Sequence, residues 1–259
     1  MSHLLCEEEG GVATLTLNRP EMKNPVDEEI MRGLSGHIDR LAGEADLRAV
    51  ILTGAGGEAF CAGGDLKWLQ SFDTGEKGEA MSRRMQDILS RLSRLPVPVI
   101  AVLNGYALGG GTEIALACDM RVMEAHAYLH FKQARVGLIT AWGGAARLVR
   151  LAGYGRAMEL LTACRKLESA EALRIGVANA VVPRGEGLAE GRRLAAEIVE
   201  GAPMSIRLIK RLLLAARELS GEAADKLEAA LFREAWTSAD HDEAVRAFLE
   251  KRAPEFRGE

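Results

Sequence analysis

No apolar run in this 259-residue chain approaches the roughly 18 residues that a membrane-crossing helix needs. The opening MSHLLCEEEGG is acidic where a secretion leader would be basic and then apolar, so a cytoplasmic protein is expected. Cysteine is scarce. Cys6, Cys61, Cys118 and Cys164 form no C-x-x-C pair, which fits reduced thiols better than a disulfide framework or a zinc site. There is no excess of positive charge: 33 Lys and Arg against 37 Asp and Glu leave a net charge of −4. Nucleic acid and anionic membranes are thereby disfavoured as partners, and an anionic ligand must be held by local donors. The five histidines (His3, His37, His126, His130, His241) show no metal-ligand spacing and no serine or cysteine partner set for a triad. Only His130 falls near the expected pocket wall.

What is present is an ordinary globular composition, 48% hydrophobic and 27% charged, long enough for one large core. Val12–Leu17 alternates like a strand and stops at Asn18-Arg19-Pro20, and 27–41 has helical spacing. Arg48–Leu52 and Val99–Leu103 are short apolar runs of buried-strand type. Between them 81–95 reads as a helix ended by Pro96 and Pro98. A helix over 110–117 and strands near 120–123 and 128–131 complete a repeated βα pattern, the mark of an α/β core. Beyond Trp142 helices dominate, with one strand-like stretch at 178–182, and 203–251 reads as nearly all helix. With no low-complexity linker, the division is a core over 1–200 and an appended helical module over 201–259. Arg207, Lys210 and Arg211 share a helix with Ile206, Leu208 and Ile209, a solvated face or a subunit contact in preference to a nucleic-acid surface.

Two glycine-rich turns carry the chemistry. They are Phe60-Cys61-Ala62-Gly63-Gly64-Asp65-Leu66 and Asn104-Gly105-Tyr106-Ala107-Leu108-Gly109-Gly110-Gly111-Thr112-Glu113. Each removes side chains where a strand hands over to a helix, freeing backbone N–H groups at the positive end of the helix dipole. Two such turns converging would make an oxyanion hole. Taken singly, each could be a tight turn that needs glycine's φ freedom. Neither matches G-x-G-x-x-G or ends in Gly-Lys-Ser/Thr, which disfavours a dinucleotide or phosphate loop.

Together, F-C-A-G-G-D-L and N-G-Y-A-L-G-G-G-T-E resemble the signature turns of the enoyl-CoA hydratase/isomerase (crotonase) superfamily. The likeness extends over nearly the whole chain, through L-N-R-P-E-M-K-N-P, W-G-G-A-A-R-L-V and A-F-L-E-K-R-A-P-E-F. It implies an α/β fold, a crotonase (ClpP/crotonase-like) spiral core of repeated ββα units with a C-terminal helical module. It also implies an acyl-CoA substrate, with coenzyme A entering as part of that substrate and no separate cofactor or metal. Trimers, often paired into hexamers, are implied as the assembly. The N–H groups of Gly64 and Gly110 would hold the thioester oxygen, next to Gly109. Ala62, Asp65 and Leu66 would lie along adenine and pantetheine, Phe248 and Lys251 would cover the adenine end, and Lys23 would meet the phosphates. Trp142 would line the acyl pocket or serve as a core aromatic.

The resemblance places Glu113 at the first of two catalytic glutamates. The second position holds Gln133 or, with the register slid by two, Arg135, and neither is an acid. A-L-G-G-G-T-E…A-C-D-M-R-V-M with F-K-Q-A-R-V-G-L-I-T-A-W-G-G looks closest to the ethylmalonyl-CoA decarboxylase branch. The expected activity is therefore a lyase that stabilises a thioester enolate and decarboxylates a malonyl-type CoA. Enoyl-CoA hydration or isomerisation, or an inactive CoA-binding scaffold, are the alternatives.

Overall fold

The computed structural model describes residues 2–258. The chain enters as an antiparallel hairpin of β1 (Leu4–Glu9) and β2 (Val12–Leu17), followed by α1 (Glu28–Ala42). Asp27 caps α1 by accepting the Ile30 N–H at 2.9 Å, and Ile30, Met31, Leu34, Ile38 and Leu41 bury one face. Three strand pairs then build the core: β3 (Ala49–Gly54) with β4 (Ala59–Cys61), β5 (Val99–Leu103) with β6 (Tyr106–Leu108), and β7 (Met120–Glu124) with β8 (Tyr128–His130). After the first pair come α2 (Leu66–Leu69) and α3 (Gly75–Ser93), and after the second α4 (Gly110–Ala117). The chain continues through α5 (Gly144–Ala152), α6 (Tyr154–Ala163), β9 (Lys166–Glu168), α7 (Ser169–Arg174), β10 (Ala180–Val182) and α8 (Gly187–Val199). It closes with α9 (Pro203–Ala215), α10 (Glu222–Trp236) and α11 (Ala239–Glu250).

The first strand of each pair joins a six-stranded sheet in the order β1-β2-β3-β5-β7-β10, parallel except for β1. The second joins a four-stranded sheet, β4-β6-β8-β9. This is the ββα spiral that the resemblance implied. The central strands are apolar throughout because both faces are covered. Val50, Leu52, Val99, Ala101 and Leu103 enter the main core with α1, α3 and α4, while Ala49, Ile51, Ile100, Val102 and Val122 meet Ala195 of α8.

Several expectations change. β1 is absent from the sequence reading because LLCEEE ends in acids, which an edge strand can turn outward. The three-residue strands β4, β6 and β9 are too short to show a period. Helix α3 begins at Gly75 rather than 81, because Thr74 caps it through the Lys77 N–H at 3.3 Å. The strand at 178–182 shortens to β10, and 203–251 divides into three helices.

In the tail, α9 is tied to the core by Lys210, which is 5% exposed. Its Nζ donates to the Val97 carbonyl at 3.0 Å and pairs with Asp119. α10 packs on α9, and Phe232, Trp236, Phe248 and Leu249 of α10 and α11 face outward.

Candidate active site

Because β4 and β6 are neighbours in the small sheet, the glycine-rich turns that leave them lie side by side. Gly63 (φ +97°) and Gly109 (φ +50°) adopt backbone conformations that side chains disfavour. A methyl built on Gly63 would lie 3.5 Å from the Gly110 nitrogen, so the turns touch. Val26 fixes the first turn: its N–H donates to Gly63 O and its O accepts Asp65 N–H, both at 2.7 Å, bypassing the N–H of Gly64. Gly109 fixes the second by donating to His130 O at 3.0 Å and accepting the Thr112 N–H at 3.1 Å. Gly110 then opens α4, where no preceding turn offers its N–H an acceptor. Among the described residues, neither the Gly64 nor the Gly110 N–H donates to any acceptor.

Glu113, one turn into α4, is 2% exposed, and its carboxylate is held from four directions. Oε2 accepts the N–H groups of Trp142 and Gly144 at 2.7 Å each. Oε1 accepts the Ala141 N–H and the Gln133 Nε2 amide at 3.2 Å each. These four donors match the four acceptor positions of a carboxylate. Burial pushes the Glu113 pKa above its ordinary value, and the donors, Gly144 first, pull against that rise. The opposite end of the Gln133 amide, Oε1, is buried and has no partner among the described residues. Arg135, the other register, points away and donates to Ala163 O at 3.3 Å. Gln133 is therefore the side chain facing Glu113.

The segment carrying Trp142 is clamped on several sides. Ala141 O accepts Ser82 Oγ at 2.5 Å and Gln86 Nε2 at 2.7 Å, and Trp142 O accepts Arg147 Nη1 at 2.8 Å. The indole lies against Gly110, where a built methyl would come within 2.6 Å of Cε3.

The remaining expected residues divide. The Ala62 N–H donates to Lys23 O at 2.9 Å, which keeps that backbone beside the first turn, and Leu66 is 77% exposed at the start of α2. The Asp65 side chain turns inward: Oδ1 caps α2 through the Lys67 N–H at 3.0 Å, and Oδ2 pairs with Arg19 at 2.9 Å. The Lys23 ammonium is paired with Glu58, not free for a phosphate. His130 Nε2 lies 2.9 Å from Cys164 O. Phe248, 83% exposed, lies near the end of α11 and Lys251 caps that helix. The sequence reading missed Arg19, Ser82 and Gln86. The Trp-Gly-Gly step marks the segment that Ser82 and Gln86 support, but nothing in it names them, and Arg19 holds Asp65 at the first turn.

Fold and site together define an enzyme of the crotonase superfamily. The chain belongs to the enoyl-CoA hydratase/isomerase family, whose pattern matches residues 7–259. It is 34% identical to the short-chain-enoyl-CoA hydratase of Clostridium acetobutylicum over 252 residues, 97% of this chain and 96% of that one. It is also 34% identical to the ethylmalonyl-CoA decarboxylase of Gallus gallus over 244 residues, 93% of this chain and 82% of that one. The structure is similar to that of an enoyl-CoA hydratase from Bacillus anthracis, with a TM-score of 0.96 at 32% identity, covering 99% and 100% of the two chains.

Proposed function

We propose that this enzyme holds an acyl-CoA thioester oxygen between the N–H groups of Gly64 and Gly110 and decarboxylates a malonyl-type thioester such as ethylmalonyl- or methylmalonyl-CoA. The observation that carries the reading is the amide of Gln133 opposite Glu113. Hydration of an enoyl thioester needs one group to activate water and another to exchange the α-proton, and an amide exchanges none at neutral pH. Decarboxylation asks less. The bond from Cα to the carboxylate carbon breaks, its electron pair passes into the thioester enolate, and CO2 departs. The enolate oxygen, more negative than the starting carbonyl, strengthens both N–H bonds in the transition state. One proton then goes to Cα. Glu113 first takes it from solvent at Oε1, where the 3.2 Å Gln133 donor gives way more readily than the 2.7 Å pair on Oε2, and then delivers it to Cα.

Ala62, Leu66 and Gly109 flank the two donors on the coenzyme A side, and coenzyme A arrives as part of the substrate with no separate cofactor. For Lys23 to meet a phosphate, its ammonium must exchange Glu58 for the ligand. Phe248 and Lys251 would cover the adenine of another copy in a trimer or a pair of trimers.

Enoyl-CoA hydration is the second reading, favoured by the buried, partnerless Gln133 Oε1, an acceptor suited to a water. One substrate panel separates the two: ethylmalonyl- and methylmalonyl-CoA followed by CO2 release, crotonyl-CoA by loss of enoyl absorbance. CO2 release is expected. Fast crotonyl-CoA hydration without it would sink the decarboxylase reading.

A further inference from the structure

The indole of Trp142 is 4% exposed and packs against the Cα of Gly110. Its backbone is fixed at both ends, by the N–H bond to Glu113 and by the carbonyl bond from Arg147. The preceding carbonyl is held by Ser82 and Gln86 of α3. A ring clamped in this way is a rigid wall, not a moving lid. It stands beside a residue whose N–H is unpartnered, and the loop leading to it carries two exposed apolar side chains, Leu138 and Ile139. Resting on the reading that the Gly110 N–H holds the thioester oxygen, we propose that Trp142 is the specificity-determining residue of the acyl pocket, admitting a short substituent at the acyl Cα and rejecting long ones. That Cα lies only two bonds from the held oxygen, so its substituents are the first part of the acyl group to meet the ring. A fixed aromatic wall cannot move aside for added methylenes, because repacking around it would disturb the bonds to Glu113 and α3.

The test uses the full chain and two variants, Trp142→Phe and Trp142→Ala, with methyl-, ethyl- and butylmalonyl-CoA and, in parallel, crotonyl- and 2-decenoyl-CoA. The wild type should discriminate against the longer member of whichever series turns over. Trp142→Ala should shift the long-to-short ratio of kcat/KM by at least about tenfold, the low end of what one methylene is worth in an apolar pocket. Trp142→Phe should fall between, and inhibition by free CoA should stay unchanged in both. The same thioesters competing against a fluorescent CoA ester give the ratio as affinities, without turnover. A size ratio unmoved in both folded variants overturns the assignment. If only the enoyl series turns over, the decarboxylase reading fails while the Trp142 ratio is still judged on that series.

Discussion

Helix α5 begins at Gly143-Gly144 over the buried Glu113, and helix α8 begins beyond Gly185 over Glu124, which is 3% exposed. Each carboxylate accepts backbone N–H groups where its helix starts: Trp142 and Gly144 at 2.7 Å for Glu113, Gly185 at 2.8 Å and Gly187 at 3.2 Å for Glu124. Both meet the need that helix N-termini create. They differ in what else is near. Glu113 also draws in Ala141 and Gln133, on a segment whose indole covers Gly110. Glu124 has the ring of His126, 3.6 Å away and itself close to Gly57 O. A buried capping glutamate is therefore a structural device seen at both helix starts, and it marks a site only where unpartnered donors converge beside it.

Removing the two carboxylates should separate stability from chemistry. Glu113→Ala leaves the Ala141, Trp142 and Gly144 N–H groups without their acceptor, at about 1–3 kcal/mol each. Glu124→Ala leaves those of Gly185 and Gly187, at a similar cost per group. Urea unfolding should show the larger loss for Glu113, and turnover per folded molecule should vanish only there. Equal loss of turnover in both would break the distinction.

The glycines extend the contrast. Gly110→Ala drives a methyl into the Trp142 ring and should lower turnover by about 100- to 1000-fold, the usual effect of losing one oxyanion donor. Gly187→Ala meets Glu124 Cγ at 3.0 Å and should cost about 1 kcal/mol of stability with turnover intact. Gln133→Glu sets a second carboxylate against Glu113. Crotonyl-CoA hydration should then rise by about a hundredfold, the lower range for an added acid–base group, and an unchanged rate would weaken the weight given to the amide.

The smallest effect is the pH response. Burial raises the Glu113 pKa, so its contribution to stability is full on the acid side of the ordinary carboxylate range and is lost as pH climbs through the raised value. Glu243 in the tail runs the other way. Arg252, with the Glu255 N–H, holds its pKa down to about 2, so its contribution is present above the ordinary range and lost as pH falls toward that value. Carboxyl NMR titration should place Glu113 above the exposed glutamates and Glu243 below them.

The central strands were readable because Val99–Leu103 is apolar on both faces, and the turns because clustered glycines record where side chains cannot stand. What escaped the sequence depends on pairings chosen by three-dimensional register. Nothing local to Glu113 announces donors 28 to 31 residues away at Ala141, Trp142 and Gly144. Asp65 and Lys23 belong to motifs tied to a ligand, yet each has a charged neighbour in the chain, Arg19 and Glu58. The choice between Gln133 and Arg135 also needed the backbone: the 3-10 turn from Gln133 to Val136 turns the first toward Glu113 and the second outward.

The latch between Lys210 and Asp119 bears on the order in which this chain can be completed during synthesis. Asp119 orders the start of β5 by accepting the Val99 N–H at 2.7 Å, but its counter-charge emerges 91 residues later. Until α9 docks, the sheet carries a charge at the starts of its interior strands β5 and β7 whose partner has not been made. Breaking such a pair by removing one member costs about 3–5 kcal/mol. A chain cut after Glu200 would keep every strand yet lose that partner. Core and tail, joined by this latch, are therefore expected to melt in a single transition.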